Sequence, residues 1–246
     1  MKKIYFLDGL GSNRYYCQKF KDVLSKAGFD LIYLEYDTND ISDENYFISW
    51  FEENISEEKI ILMGFSIGAD LANALAYLTN RVSQLILLDG GLNVHAIDQM
   101  SLDDEINENI SYLQHNQFQS LNELISEEIT SSPKSADIIE KAVRESYFWD
   151  ENKKVYKLKI TEDYLNNLLR LRRYFYTKNS QIHLNQPILL CLSGQPEEYY
   201  RDKLLRLEQF KDDNFYLTTF ENASHQIYLE EVDALVETIE YFVRTT

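Results

Sequence analysis

The residues of this chain best suited to covalent chemistry are one serine, one histidine and a small choice of carboxylates. Ser66 stands at the centre of Gly64-Phe65-Ser66-Ile67-Gly68, after the apolar run Ile60-Ile61-Leu62-Met63 and before Ala69, Leu71, Ala72, Ala74, Leu75 and Leu78. That is a buried strand, a sharp turn and a helix, the setting a nucleophile elbow requires. Gly64 and Gly68 lack a Cβ, so strand and helix can close around the turn. The serine hydroxyl then stands clear at a helix N-terminus, where backbone N–H groups favour developing negative charge. A hydroxyl is a weak nucleophile at neutral pH and needs a base within hydrogen-bond reach. Of four histidines, His95, His115 and His183 fall in or beside a long inserted segment. His225 falls between the last predicted strand and the last helix, which brings it to the sheet edge that carries Ser66.

A third group should hold the imidazole in its tautomer and stabilise its charged form. Glu197 follows the penultimate predicted strand by a few residues and is the first choice. Its neighbour Glu198 is a near substitute, and Asp89, before Gly90-Gly91, is the rival. A tetrahedral intermediate needs two backbone donors. The N–H of Ile67 is one, and Leu10, in the loop Asp8-Gly9-Leu10-Gly11-Ser12, is the other. Gly9, Leu10 and Phe65 are then expected against the substrate.

Strands predicted at Ile4–Leu7, Leu31–Tyr36, the apolar run Ile60-Ile61-Leu62-Met63, Leu85–Leu88, Pro187–Leu192 and Phe215–Phe220 must position these residues. They alternate with helices near Arg14–Ala27, Glu44–Asn54, Leu71–Leu78, Tyr199–Phe210 and Gln226–Val243. This order predicts a mainly parallel sheet covered on both faces. Seven of the eight glycines, Gly9, Gly11, Gly64, Gly68, Gly90, Gly91 and Gly194, cluster where strands end, the edge at which ligands gather in such sheets. Between Leu92 and Gln186 the strand pattern stops and helical periodicity takes over, near 102–115, 118–130, 134–147 and 161–177. Its first part, Leu92 to Ser132, has no Lys or Arg, whereas Lys153, Lys154, Lys157, Lys159, Arg170, Arg172 and Arg173 crowd its second. Two helix faces that attract each other account for this, or a cationic dock for an acidic partner.

The totals exclude several classes. A net charge of −17 argues against nucleic acid or an anionic membrane as the main partner. Two cysteines, Cys17 and Cys191, make no disulfide framework, and no Cys/His spacing suggests a metal site. No apolar run is long enough to cross a bilayer, and Asp8 interrupts the short apolar start, so a cytoplasmic protein is expected.

On Asp8-Gly9-Leu10-Gly11-Ser12, Gly64-Phe65-Ser66-Ile67-Gly68 and Ala223-Ser224-His225 the chain resembles the α/β-hydrolases. The resemblance spans 1–91 and 187–246 as the core. It implies the α/β-hydrolase fold, a serine hydrolase that needs no cofactor, and an all-helical cap inserted at 92–186. The family often has His-Gly where this chain has Asp8-Gly9, and usually Asp where it has the longer Glu197. Its first two strands are missing, as in the family's smaller members.

The expected reaction is hydrolysis of a carboxylic ester or thioester through an acyl-Ser66 intermediate, on a small-molecule or carrier-bound acyl substrate. Tyr147, Phe148, Trp149, Tyr174, Phe175 and Tyr176 offer an aromatic wall for it. A thioesterase acting on acyl-coenzyme A, or on an acidic acyl carrier protein met by the basic half of the cap, is one alternative. A ligand-binding protein that has kept the fold without turnover is another. Gly9-x-Gly11 with Glu35 also suggests dinucleotide binding, although Arg14 occupies the fingerprint's third glycine position.

Overall fold

The fold is described from a computed structural model, for all residues except 38, 96, 132–134, 180–183 and 209–213. His183, the start of the helix expected at 134 and the end of the one expected at Phe210 lie outside the described residues. In chain order the elements are β1 (Lys2–Leu7), α1 (Gln18–Lys26), β2 (Phe29–Tyr33), α2 (Glu44–Asn54), β3 (Ile60–Phe65), α3 (Ile67–Leu78) and β4 (Val82–Leu88). The insertion contributes α4 (Leu102–His115), β5 (Gln117–Phe118), α5 (Leu121–Ser131), α6 (Ala136–Ser146), β6 (Tyr147–Asp150), β7 (Val155–Leu158) and α7 (Glu162–Asn179). The core resumes with β8 (Ile188–Ser193), α8 (Glu197–Leu207), β9 (Phe215–Phe220), α9 (Ile227–Glu230) and α10 (Val232–Thr245).

Six strands pair in the order β2-β1-β3-β4-β8-β9, every pair parallel. β3, β4 and β8 read as nearly continuous apolar runs because both faces of the sheet are covered. Alternate residues divide between two layers. Leu62, Leu85, Leu87 and Leu190 pack with α2, α3 and α7, whereas Met63, Ile86, Leu88 and Cys191 pack with α1 and α10. The second strand ends at Tyr33 rather than Tyr36, and α1 starts later than the apolar spacing suggested. Asn13 explains the late start. Its Oδ1 accepts from Tyr15 N–H in a local turn, while its Nδ2 donates to Ala142 O and Ser146 Oγ of the insertion.

The insertion is not all-helical. β5, β7 and β6 form a three-stranded antiparallel sheet. Its hairpin turns at Asp150, whose carboxylate accepts from the N–H groups of Asn152 and Lys153, with Lys154 at φ 54°. Aromatic and β-branched residues on either side, Trp149 against Tyr156 and Asp150 against Val155, favour a pleated ribbon over a helix. α7 belongs as much to the main core as to the insertion, since Leu165, Leu168, Leu169 and Phe175 pack against the same face as α2 and α3. No helix among the described residues is long and apolar enough to cross a membrane.

Candidate active site

β3 delivers Ser66 at φ 54°, ψ −125°, a backbone region that costs a non-glycine residue on the order of 1–3 kcal/mol. Its neighbours hold it there. Ser66 N–H donates to Leu88 O at 2.9 Å, and Ser66 O accepts from Ala69 N–H at 2.9 Å. Gly64, Gly68 and Gly90 are required by this crowding. A Cβ on Gly64 would fall 2.5 Å from Ala69 Cα, and one on Gly68 would fall 2.5 Å from Asp8 O. A Cβ on Gly90 would fall 3.0 Å from Ser66 Cα.

The loop after β9 swings His225 over the elbow. Its Nε2 lies 2.9 Å from Ser66 Oγ, and its Nδ1 lies 2.6 Å from Asp89 Oδ2. Phe65 and Tyr228 support the ring from below. Phe65 is tilted against the imidazole with centroids 4.8 Å apart, and Tyr228 meets Phe65 edge-on at 4.9 Å. The imidazole side is partly open, with the His225 side chain 46% exposed.

The structure brings Asp89 to the ring and leaves Glu197 outside. Glu197 opens α8 with its side chain 67% exposed, ion-paired to Arg201 one turn on. Glu198 is also exposed. Both occupy the first turn of a helix whose inward positions come later. Asp89 instead directly follows β4, the strand paired with β3, so sheet register alone sets it beside the elbow. It is fully buried and takes φ 47°. Its N–H donates to Cys191 O at 2.8 Å, and its carbonyl accepts from His95 Nε2 at 2.9 Å. Its carboxylate accepts from Ser193 N–H and Oγ, from Lys203 Nζ and from His225. Burial alone would raise this carboxyl, but the hydrogen bond from His225 and the charge of Lys203 outweigh it, and Asp89 is held well below the usual carboxylate range.

Lys203 went unnoticed in the sequence. The signal for Lys203 was a charge on the apolar face of α8, at helical spacing with Tyr200, Leu204 and Leu207. His95, weighed with the insertion's other histidines, reads as a surface or packing residue, yet its ring meets that of His225 edge-on at 6.0 Å. Burial lowers its pKa, which favours the neutral form. His115 is exposed and, among the described residues, bonds Ser111 of its own helix.

Ile67 is the first residue of α3, so its N–H is one that a helix leaves without an intrahelical partner. Gly9 packs directly on the elbow, where a Cβ would fall 3.3 Å from Ser66 Cβ, and Leu10 follows it in the turn closed by Ser12 N–H to Gly9 O. Beneath this loop Asp8 is 3% exposed, with Oδ1 accepting from Gly9 N–H at 2.8 Å and from Tyr228 OH at 3.2 Å. Burial pushes its carboxyl up to about 7 despite those bonds.

Two cavities border the loops around the site. One, of about 370 Å³, lies on the Gly9 side and is walled by Asp8, Tyr33, Tyr36, Ile160 and Tyr164. The other, of about 560 Å³, lies on the imidazole side and is walled by His225, His95, Lys203, Pro196 and Tyr199. The aromatic wall expected from the insertion is largely spent elsewhere. Phe175 packs on Phe47, Tyr147 lies in the insertion's own core, and Phe148, Trp149 and Tyr174 are exposed. Phe65 buttresses the imidazole instead of lining either cavity. The insertion's charges mostly meet each other: Lys154 pairs with Glu151, Lys157 with Asp150 and Lys159 with Glu145, while Arg172 and Arg173 both reach Glu105. Glu35, a candidate ribose contact in the dinucleotide reading, pairs with Arg14. Among the described residues no group of three or more His, Cys, Asp or Glu side chains is placed to hold a metal ion.

No protein-family model matches the chain, and no curated protein matches it. Solved structures do. It is similar to E-2-(acetamidomethylene)succinate hydrolase with a TM-score of 0.68 at 15% identity, over 99% of this chain and 91% of that one. It is similar to the thioesterase domain from the curacin biosynthetic pathway at 0.63 and 13%, over 97% and 90%. An esterase of M. tuberculosis follows at 0.64 and 15%, over 99% and 86%. Together with the parallel sheet and the insertion after β4, these likenesses give the chain the α/β-hydrolase fold.

Proposed function

We propose that this chain is a serine hydrolase that cleaves a carboxylic ester or thioester through an acyl-Ser66 intermediate. The observation that carries the reading is the unbroken line of hydrogen bonds from Ser66 Oγ through His225 to Asp89. In the forward step Ser66 Oγ attacks the carbonyl carbon while His225 Nε2 takes its proton. The carbonyl oxygen becomes an oxyanion beside the N–H groups of Ile67 and Leu10. His225 then returns the proton to the leaving alkoxide or thiolate as the acyl–O or acyl–S bond breaks. Water, deprotonated by the same imidazole, releases the acid and restores Ser66.

The leaving group must come within reach of His225, and because His225 borders the imidazole-side cavity this supports that cavity for the leaving group and the Gly9 side for the acyl group. Tyr33, Tyr36, Tyr164 and Asp8 on the acyl wall favour a short or polar acyl group over a long alkyl chain. Labelling with a fluorophosphonate tests the reading. Wild type should be labelled at one site and Ser66→Ala not at all; an unlabelled wild type, or equal labelling of both, rejects it. A panel of short and long p-nitrophenyl esters with acyl-coenzyme A and acyl-carrier substrates then separates ester from thioester.

A further inference from the structure

Lys203 sits on α8 where an apolar residue would be expected, 7% exposed, between neighbours that pack into the core. A buried ammonium is costly unless it is paired and fully hydrogen-bonded. This one is. Its Nζ donates to Asp89 Oδ1 and Oδ2 at 2.8 Å each and to Ser193 Oγ at 3.1 Å. An ammonium has three donors, so none is left for a substrate, although the residue borders the imidazole-side cavity.

We propose that Lys203 is a positioning residue for Asp89 and His225, and that its charge sets the pH at which the imidazole becomes free to act as a base. The proposal rests on the serine-hydrolase reading given above. Asp89 Oδ2 is shared, with Lys203 Nζ at 2.8 Å and His225 Nδ1 at 2.6 Å, so ammonium and imidazole lie no further apart than those two bonds allow. At such a separation two positive charges repel, and a carboxylate already neutralised by one cation attracts a second less. Lys203 therefore disfavours the protonated ring and extends the working range of the base toward lower pH. It also holds the carboxylate in place, since Ser193 and Lys203 fix both oxygens while His95 and Cys191 fix the Asp89 backbone.

Other titratable groups face this array. His95 lies across the ring from His225, and burial favours its neutral form. Cys191 lies on the adjacent strand, its thiol driven far up by burial and therefore neutral. Asp70 acts on His95 from α3. Asp202 borders the same cavity and bonds Arg206, and Glu230 accepts from Ser224 N–H and Oγ. Among the described residues Lys203 is the lysine or arginine bonded to the Asp89 carboxylate.

The test is the titration of the His225 ring, followed by NMR at Cε1–H, together with the pH dependence of kcat/KM on a p-nitrophenyl ester. Lys203→Met should move both the ring midpoint and the acid limb upward by about one pH unit or more. Lys203→Arg, which keeps the charge, should leave them near wild type. An unmoved midpoint in Lys203→Met overturns the proposal whatever its activity, and so does a midpoint displaced as far in Lys203→Arg. Ring titration needs no turnover, so failure of fluorophosphonate labelling would reject the hydrolase reading and still leave this one decidable. Should Lys203→Met not fold, wild type decides. The Lys203 ammonium ¹⁵N resonance should shift through the same midpoint as the His225 ring, and a signal that ignores that step overturns the proposal.

Discussion

Asp89 and Glu197 are both carboxylates that follow a strand, and what separates them is the direction each side chain is given. Asp89 leaves β4 in a left-handed turn that aims it under the imidazole, while Glu197 starts a helix and faces solvent. Asp89→Asn should therefore lower kcat/KM on a p-nitrophenyl ester by about 10³–10⁴-fold, through loss of the correct imidazole tautomer. Glu197→Gln should change it by less than about twofold, since an exposed ion pair contributes little. The opposite ranking would return the acid to α8. Asp8 offers a test of a different kind. Its folded pKa, about 7, lies above the unfolded carboxylate value, so between about pH 4 and 7 the folded state holds the extra proton. Stability from this group is full at low pH and falls as pH rises through that window. Asp8→Asn should thus gain on wild type between pH 5 and pH 8 by a few kcal/mol, in order of magnitude, in urea unfolding. An equal difference at both pH values would mean that Asp8 is already ionised at pH 5.

At the scale of elements, the parts with one strong period were legible before any coordinates. β3, the elbow and α3 stand where the apolar run and the two glycines placed them, and α4 matches the expected 102–115. The serine–histidine pair was legible for the same reason, since chain order in an alternating sheet decides which edge a loop reaches. Long-range competition hid the rest. Nothing local tells Asp89 that β4 will lie beside β3, or tells Lys203 that its helix will press it onto that carboxylate. The β6–β7 hairpin was missed because its short strands fall between two helical patterns and pair only with each other and β5. The elbow also supplies a steric prediction. Gly68→Ala would drive a Cβ into the backbone of Leu7 and Asp8, so it should abolish soluble expression or cost several kcal/mol in denaturant unfolding. A well-folded, fully active Gly68→Ala would show that β1 and α3 are less tightly apposed.

Across the whole molecule, the lopsided charge of the insertion resolves largely into contacts within itself. Arg172 and Arg173 of α7 converge on Glu105 of α4, all three side chains little exposed. Removing Glu105 would leave two partly buried guanidinium groups without their carboxylate, so Glu105→Gln should destabilise the fold by about 3–5 kcal/mol in thermal or urea unfolding. A change under 1 kcal/mol would mean that water already screens the cluster. α7, which carries both arginines, also fills part of the central hydrophobic layer, and Asn13, Ser146 and Ser135 fasten the insertion to the first loop and to Leu229. A swinging lid would have to tear that layer open with every turnover. Grafting another protein's lid onto residues 92–186, or excising them, should therefore yield an unfolded chain rather than an enzyme with a new preference. On the proposed hydrolase reading, changes of substrate range would have to come instead from point substitutions along the walls of the two cavities.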